Sequence, residues 1–385
     1  MSIADMSDAS IQKKPKKIAL VHDFLLSMGG AERVLQELSL LYPAAPIYTL
    51  LADEKLIQKY FPERIVRQSF LQKFPRFFQK RYKWLLPFYP VAVESLNLRD
   101  YDLIISSSGA WTKGIVTRLH TTHIAYIHSP MRYAWDSHEE YLETLKKKGN
   151  IFLRGVLSYL RVWDFEAAQR PEILVANSLY TKERIEKYYR RNAELLYPTS
   201  GLSQSQDSGV SPREKKDFFL LVSRLTKIKR IDAVVEAFNK LGFPLKIVGS
   251  GPELLSLQKK AASNVTFEGF VSDEKLRELY QEARALMFPS EEDFGLTAVE
   301  AHAHGTPVIA FEYGGIREIV TPGVTGEFFA SKTHEVIAEA VLRFTRSEKQ
   351  YNKEVMQSNV AQFHKNHFRE GIQKLVKNIY VTPRS

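Results

Sequence analysis

Short apolar runs and amphipathic stretches alternate twice along this chain, and nothing else in it restricts the fold so tightly. In the first half, Lys17–His22, Pro46–Leu51, Leu103–Ser107, His123–His128 and Ile173–Asn177 read as strands, with a helix from Ala31 to Leu41 after the first. In the second half, Phe218–Ser223, Leu245–Gly249, Val265–Gly269, Ala285–Pro289 and Val308–Phe311 read as strands. Ile231–Leu241, Asp273–Glu282 and Leu296–His304 read as the helices between them, and the stretch from Thr333 onward is helical. Strands that are apolar throughout, each followed by a one-faced helix, bury both by crossing over to a parallel neighbour, so the pattern predicts an α/β chain of βαβ units. Between the halves, Ser200–Gly209 is small, polar and unpatterned, which reads as a linker.

The length of 385 residues suits two cores better than one. The expected organisation is a basic disordered tail over 1–16, a doubly wound domain over 17–199, a linker over 200–216, a second doubly wound domain over 217–365 and a terminal helix over 366–385, a candidate to pack back on the first domain. Two such halves would place a ligand at the carboxyl ends of their strands, in the cleft between them. Cysteine is absent, which removes disulfides, thiolate metal sites and thiol catalysis and fits a reducing compartment. No apolar run approaches the roughly 20 residues that span a bilayer. The N-terminal stretch lacks the apolar centre of a signal peptide. A net charge of +10 asks for an anionic partner. Zinc-finger spacing, an aromatic RNA-binding pattern and a heptad-bearing basic helix are all missing, so nucleic acid is not the expected one.

The segment Ser290-Glu291-Glu292-Asp293-Phe294-Gly295-Leu296-Thr297-Ala298-Val299-Glu300 carries the most chemistry. A strand end, a turn at Gly295 and a helix start make an anion site, because unpaired backbone N–H groups and the helix dipole point at one spot. Glu300 lies about 7 Å along the helix at 1.5 Å per residue, near the span from a diphosphate to its ribose hydroxyls. Glu292 lies on the other side, where a transferred sugar would sit. A nucleotide sugar has the matching order of groups. Arg224, Lys227, Lys229 and Arg230 follow the first strand of the second half and suit a diphosphate. Gly249-Ser250-Gly251 and Gly29-Gly30 end other strands and permit close backbone approach to a ligand. His128, followed by Arg132, Tyr133 and Trp135, suits sugar stacking and hydrogen bonding at a strand terminus. Asp100-Tyr101-Asp102 matches an acid-x-acid metal pattern but precedes its strand, the wrong end for a cleft, and reads as a polar strand start.

With these residues in place, the chain resembles the retaining GT-B glycosyltransferases of family four. The resemblance rests on the Glu-x7-Glu pair Glu292 and Glu300, the Ser-Arg-Leu…Lys loop with Arg224 and Lys229, the turn Val248–Pro252, the passage Ala301–Ala310 and the run Gly314–Glu318. His304 departs from the small residue or Cys common there. In the first half, His22-Asp23-Phe24, Met28–Val34 and His128–Asp136 look like the bacterial O-antigen and exopolysaccharide mannosyltransferase branch.

The resemblance implies two Rossmann-like domains facing a cleft, the first for an acceptor and the second for a nucleotide sugar. It implies an α-mannosyltransferase that moves mannose from GDP-mannose to a lipid-linked glycan, without metal or other cofactor, at the inner face of the cell membrane. It assigns the diphosphate to Arg224 and Lys229, the phosphate and sugar to the amides of Phe294, Gly295, Leu296 and Thr297, the ribose to Glu300 and the sugar hydroxyls to Glu292. Gly29, Gly30, Ser223, Gly249, Gly251 and Val271 line the donor. His128, with Arg132, Tyr133 and Trp135, faces the sugar and acceptor, and His128, Glu292, Arg224 and Lys229 are the expected catalytic set. A catalytically idle nucleotide-sugar-binding subunit and a UDP-sugar transferase or epimerase of the same fold are the alternatives. From Arg67 to Tyr89 the chain holds six Lys or Arg, no acid and many aromatics. This composition suits an anionic bilayer surface, with Lys73, Arg76, Lys80, Arg81, Lys83 and Trp84 as expected contacts.

Overall fold

The computed structural model describes residues 17–75, 77, 82–144, 150–199 and 214–381. The expected tail over 1–16, the linker as far as residue 213, and Arg76, Lys80 and Arg81 lie outside the described residues, as do the side chains of Lys83 and Trp84. Seven strands form one sheet: β1 (Ile18–Leu25), β2 (Ile47–Ala52), β3 (Val66–Gln68), β4 (Leu103–Ser108), β5 (Thr122–Ile127), β6 (Ile173–Ala176) and β7 (Glu194–Leu195), in the order β3-β2-β1-β4-β5-β6-β7. Six form a second: β8 (Phe219–Val222), β9 (Leu245–Val248), β10 (Val265–Gly269), β11 (Leu286–Phe288), β12 (Val308–Phe311) and β13 (Gly326–Phe329), in the order β10-β9-β8-β11-β12-β13. The pairs β1–β2, β1–β4, β8–β9, β8–β11 and β11–β12 are all parallel. The principal helices are α1 (Gly30–Leu41), α2 (Ile151–Gln169), α3 (Leu179–Tyr189), α4 (Ile231–Leu241), α5 (Asp273–Glu282), α6 (Leu296–Ala303), α7 (His334–Ser347) and α8 (Lys365–Val381).

The second sheet shows why its strands are apolar throughout. Side chains alternate between faces, and both faces are covered. Phe219, Leu221, Ile247, Met287 and Ile309 pack with Val234 and Phe238 of α4 and Val341 and Phe344 of α7. Leu220, Val248, Leu286, Phe288, Val308 and Ala310 pack on the other face with Leu279 and Tyr280 of α5 and Ala298 and Val299 of α6.

The chain divides into two compact units, one of residues 1–126, 167–173 and 366–385, the other of residues 127–166 and 174–365. In the first, Phe368 of α8 is buried and meets Tyr126 edge-on at 5.7 Å. Arg369 of the same helix pairs with Glu37 of α1 at 2.6 Å. Helix α2, the longest among the described residues, has no counterpart among the sequence expectations. Its exposed Ile151, Phe152 and Val162 interrupt the one-faced period by which such helices are read.

Candidate active site

The second unit brings four loops together at the carboxyl end of its sheet. Strand β8 lies between β9 and β11, so the turns that follow these strands emerge side by side. Backbone packs on backbone there. Gly249 has φ 134°, and a Cβ on it would lie 1.9 Å from the carbonyl oxygen of Ser223. A Cβ on Gly251 would lie 2.3 Å from the carbonyl oxygen of Leu225, whose own amide donates to the carbonyl of Ser250 at 2.9 Å. The loop after β12 clasps the loop after β11 in the same way: Gly314, at φ 93°, would place a Cβ 2.3 Å from the carbonyl oxygen of Glu292, and the amide of Gly315 donates to that oxygen at 2.9 Å. The glycines are fixed by contact with main chain, which cannot move aside as a side chain can.

On this floor Lys229 donates to Glu292 Oε1 at 2.7 Å, and the Ser290 hydroxyl donates to the same oxygen at 3.0 Å. Burial works to raise the Glu292 carboxyl, but the Lys229 ammonium, with Ser290, outweighs it and holds the group below its ordinary range. Gly295 caps α6 in the left-handed region at φ 115°, with no side chain capping the helix's first amides. Glu300 is buried one turn further in, and the Tyr280 hydroxyl donates to its Oε2 at 2.9 Å. His304 Nδ1 lies 2.8 Å from the Glu300 carbonyl. His302, wholly enclosed, is lowered to about 4 by burial and is neutral at physiological pH. The Arg224 side chain is exposed and has no hydrogen-bond or ion-pair partner among the described residues, while its carbonyl accepts from the Thr226 amide at 2.9 Å. Val271 follows β10 and packs partly buried against the core face that carries Tyr280.

The acids on either side of Glu292 point to two arginines in the same unit. Arg132 Nε donates to Asp293 Oδ2 at 3.0 Å, and its Nη1 donates to Glu291 Oε1 at 3.1 Å. Arg184 of α3, only 5% exposed, donates to Asp293 Oδ1 and to the Ser129 hydroxyl, and pairs with Asp136 at 2.8 Å. Tyr180 donates to Glu291 at 2.7 Å, and Ser178, the α3 N-cap, donates to the Asp293 carbonyl at 2.6 Å. Burial works to raise the Asp293 carboxyl, and the two guanidinium groups overcome it and lower it. Sequence reasoning singled out Arg132 but not Asp293, Arg184 or Glu291 as a set. Asp293 sits inside the motif already chosen, whereas no local signal on α3 marks Arg184.

The remaining expected residues lie as follows. His128 is half-buried just after β5, its carbonyl accepting from Asn177 Nδ2 at 3.0 Å. Tyr133 packs on Tyr141. Trp135 stacks on Tyr188 at 4.9 Å and donates its indole N–H to Asp164 at 2.8 Å. In the first unit, Gly29 is the N-cap position of α1, in extended backbone, and Gly30 is that helix's first residue. Nearby, Asp23 accepts from the amides of Gly109, Ala110, Trp111 and Thr112.

Two parallel-sheet, Rossmann-like halves with these loops define a glycosyltransferase fold of the GT-B type. The glycosyltransferase family 4 model matches residues 28–198, and the model for glycosyl transferases group 1 matches residues 203–359. The chain belongs to this family. It is 37% identical over 145 residues to a glycosyltransferase of Methanocaldococcus jannaschii, a match covering 35% of this chain and 37% of that one. It is 30% identical over 145 residues to O-antigen chain mannosyltransferase C of Escherichia coli, covering 36% and 39%. The chain thus spans less than half the length of these two relatives. Among solved structures, HepE of Anabaena in complex with UDP aligns over 94% of this chain and all of its own, with a TM-score of 0.65 at 18% identity.

Proposed function

We propose that this protein is a retaining α-mannosyltransferase that takes GDP-mannose as donor and a lipid-linked glycan as acceptor. The observation that carries the reading is the Lys229–Glu292 pair beside a glycine-opened helix whose next turn buries Glu300. In this reading Arg224 and Lys229 neutralise the diphosphate as the bond from the sugar's anomeric carbon to phosphate breaks. The amides from Phe294 to Thr297 receive charge on the departing oxygens, where fixed donors act most strongly. Glu300 takes the ribose, and Glu292 holds the sugar. Gly29 and Gly30, Ser223, Gly249, Gly251 and Val271 line the donor, and His128 serves the sugar and acceptor side. Arg132 Nη2 is buried with no partner among the described residues, which supports a role for that guanidinium as a donor toward a sugar hydroxyl.

Mannose is favoured by the likeness to the Escherichia coli mannosyltransferase. A UDP-sugar donor is the second reading, favoured by the Anabaena neighbour's bound UDP. The N-terminal domain over 17–199 is proposed to take the acceptor, with the protein held at the inner surface of the membrane. Exposed Phe70, Phe77 and Phe88 beside exposed Lys73 support that attachment, and no helix among the described residues is long and apolar enough to cross a bilayer. Calorimetric titration with GDP, UDP and ADP, followed by turnover with the matching sugar nucleotides, tests the proposal. Tighter binding of GDP and release of GDP with sugar transfer are expected. Preference for UDP would replace the donor, and nucleotide binding without turnover of any sugar nucleotide would favour a binding subunit.

A further inference from the structure

We infer that Asp293 is a positioning residue whose capture of Arg132 and Arg184 keeps Glu292 aimed at the donor. This rests on the reading of Glu292 as the sugar-holding carboxylate.

Glu292 is bridged to Gly314, and the acids on either side of it turn to other partners than its own. Glu291 and Asp293 go to the arginines, and Glu292 goes to Lys229. Three consecutive acids thus share three cations, and the backbone alone does not settle which acid takes which. Asp293 settles it. It accepts from both guanidinium groups at once, one on each oxygen, and its carbonyl is held by Ser178. With that carboxylate satisfied on both oxygens, neither arginine has reason to draw Glu292 away from Lys229. Without it, Arg132 would keep only Glu291 and Arg184 only Asp136, and the one carboxylate of the segment not already bound to an arginine is Glu292, which can turn toward them. The cost of leaving each guanidinium with one of its two carboxylates gone makes that swing the expected response.

The role is specific to the sugar end of the site. Glu300 and the turn at Gly249 are held by other contacts, and Arg224 makes none with Asp293, so nucleotide binding does not depend on Asp293. Calorimetry of the full chain with GDP-mannose, UDP-glucose, GDP and UDP, in the wild type and in Asp293→Asn, Glu292→Gln and the double variant, tests this. Asp293→Asn is expected to weaken the sugar nucleotide about tenfold while the free nucleotide holds within about twofold. The double variant is expected to be no weaker than Glu292→Gln alone, because a residue acting through Glu292 then has nothing left to aim. Arg184→Lys, which keeps the charge but loses the two-pronged contact, is expected to give the same asymmetry in smaller measure and serves if Asp293→Asn does not fold. Equal weakening of nucleotide and sugar nucleotide, or losses that add in the double variant, would overturn the inference and leave the donor reading intact. Failure of the wild type to bind any nucleotide would remove both.

Discussion

Glu292 keeps its charge although acids flank it on both sides, and the reason lies in how the cations are shared among the three. Glu292 and Asp293 both have carboxyl groups held below their ordinary range. A carboxylate depressed in the folded state stabilises above its unfolded pKa, and that stabilisation is lost as pH falls through the folded value. For these two groups the window opens near pH 4, the ordinary carboxylate range, and extends downward. Denaturant midpoints are therefore expected to fall on acidification below about pH 4, and Asp293→Asn is expected to flatten that limb while lowering stability near neutrality by about 3 kcal/mol, the cost of breaking a buried pair from one side. A variant as steep in acid as the wild type would count against the pairing. At the active site itself, Lys229→Ala is expected to lower kcat/KM by about a hundredfold through lost charge stabilisation, measured with the donor that the wild type prefers.

The sequence marked Glu292, Glu300 and Lys229 because each sits in a local pattern of strand end, glycine and helix. Arg184 had no such context. Its importance arises from the side of α3 that it shares with Tyr180, and that side is defined only once the chain has folded. Arg132 was legible as a residue of interest, but the acids it holds, Glu291 and Asp293, lie in the loop after β11.

At the scale of elements, the glycine turns and the α3 cap carry the most testable geometry. Gly249→Ala combines a left-handed φ, costing about 1–3 kcal/mol, with a Cβ driven into the Ser223 carbonyl. Both a lower denaturant midpoint and weaker nucleotide binding are expected, since the loop carrying Ser223 and Arg224 must shift. Ser178→Ala removes the hydroxyl that accepts from the Thr181 amide and donates to the Asp293 carbonyl. Loss of the cap alone should cost about 1 kcal/mol, and a further drop in sugar-nucleotide affinity would report the second bond. Expected and observed elements coincide at α4, α5, β10 and β12, where period and length agree. The ladders of β8 and β9 end one residue before the expected Ser223 and Gly249, because those residues already turn into the loops. Strands β3, β7 and β13 were not read, being two to four residues long and placed toward sheet edges, too short for any alternation to register.

For the whole molecule, the charge of +10 and the basic aromatic segment argue for an anionic surface as partner. Co-sedimentation with anionic vesicles is expected, at about 1 kcal/mol per cation near the headgroups. Replacing Lys73, Arg76, Lys80, Arg81 and Lys83 with neutral residues should abolish it, and retained binding would exclude this segment as the contact. The α/β plan was readable from alternation alone, whereas the division into compact units was not, because each unit collects pieces of chain far apart in sequence. Phe368 tests that division. Its truncation to Ala is expected to cost about 3–5 kcal/mol, as for other buried aromatics, seen as a lower denaturant midpoint.

The same helix sets an order of events during synthesis. The first unit contains β1 to β4, made before any strand of the second sheet, yet it also contains residues from Asn366 onward. Tyr126 and Glu37 therefore wait for partners about 240 and 330 positions downstream. Domains often fold as they emerge, but here the half made first is completed last, after the other half has had time to form. A premature stop after Lys365 would thus leave the site on the second sheet encoded in full and the first unit with an open apolar face, a product expected to be handled by chaperones and proteases as unfinished chain.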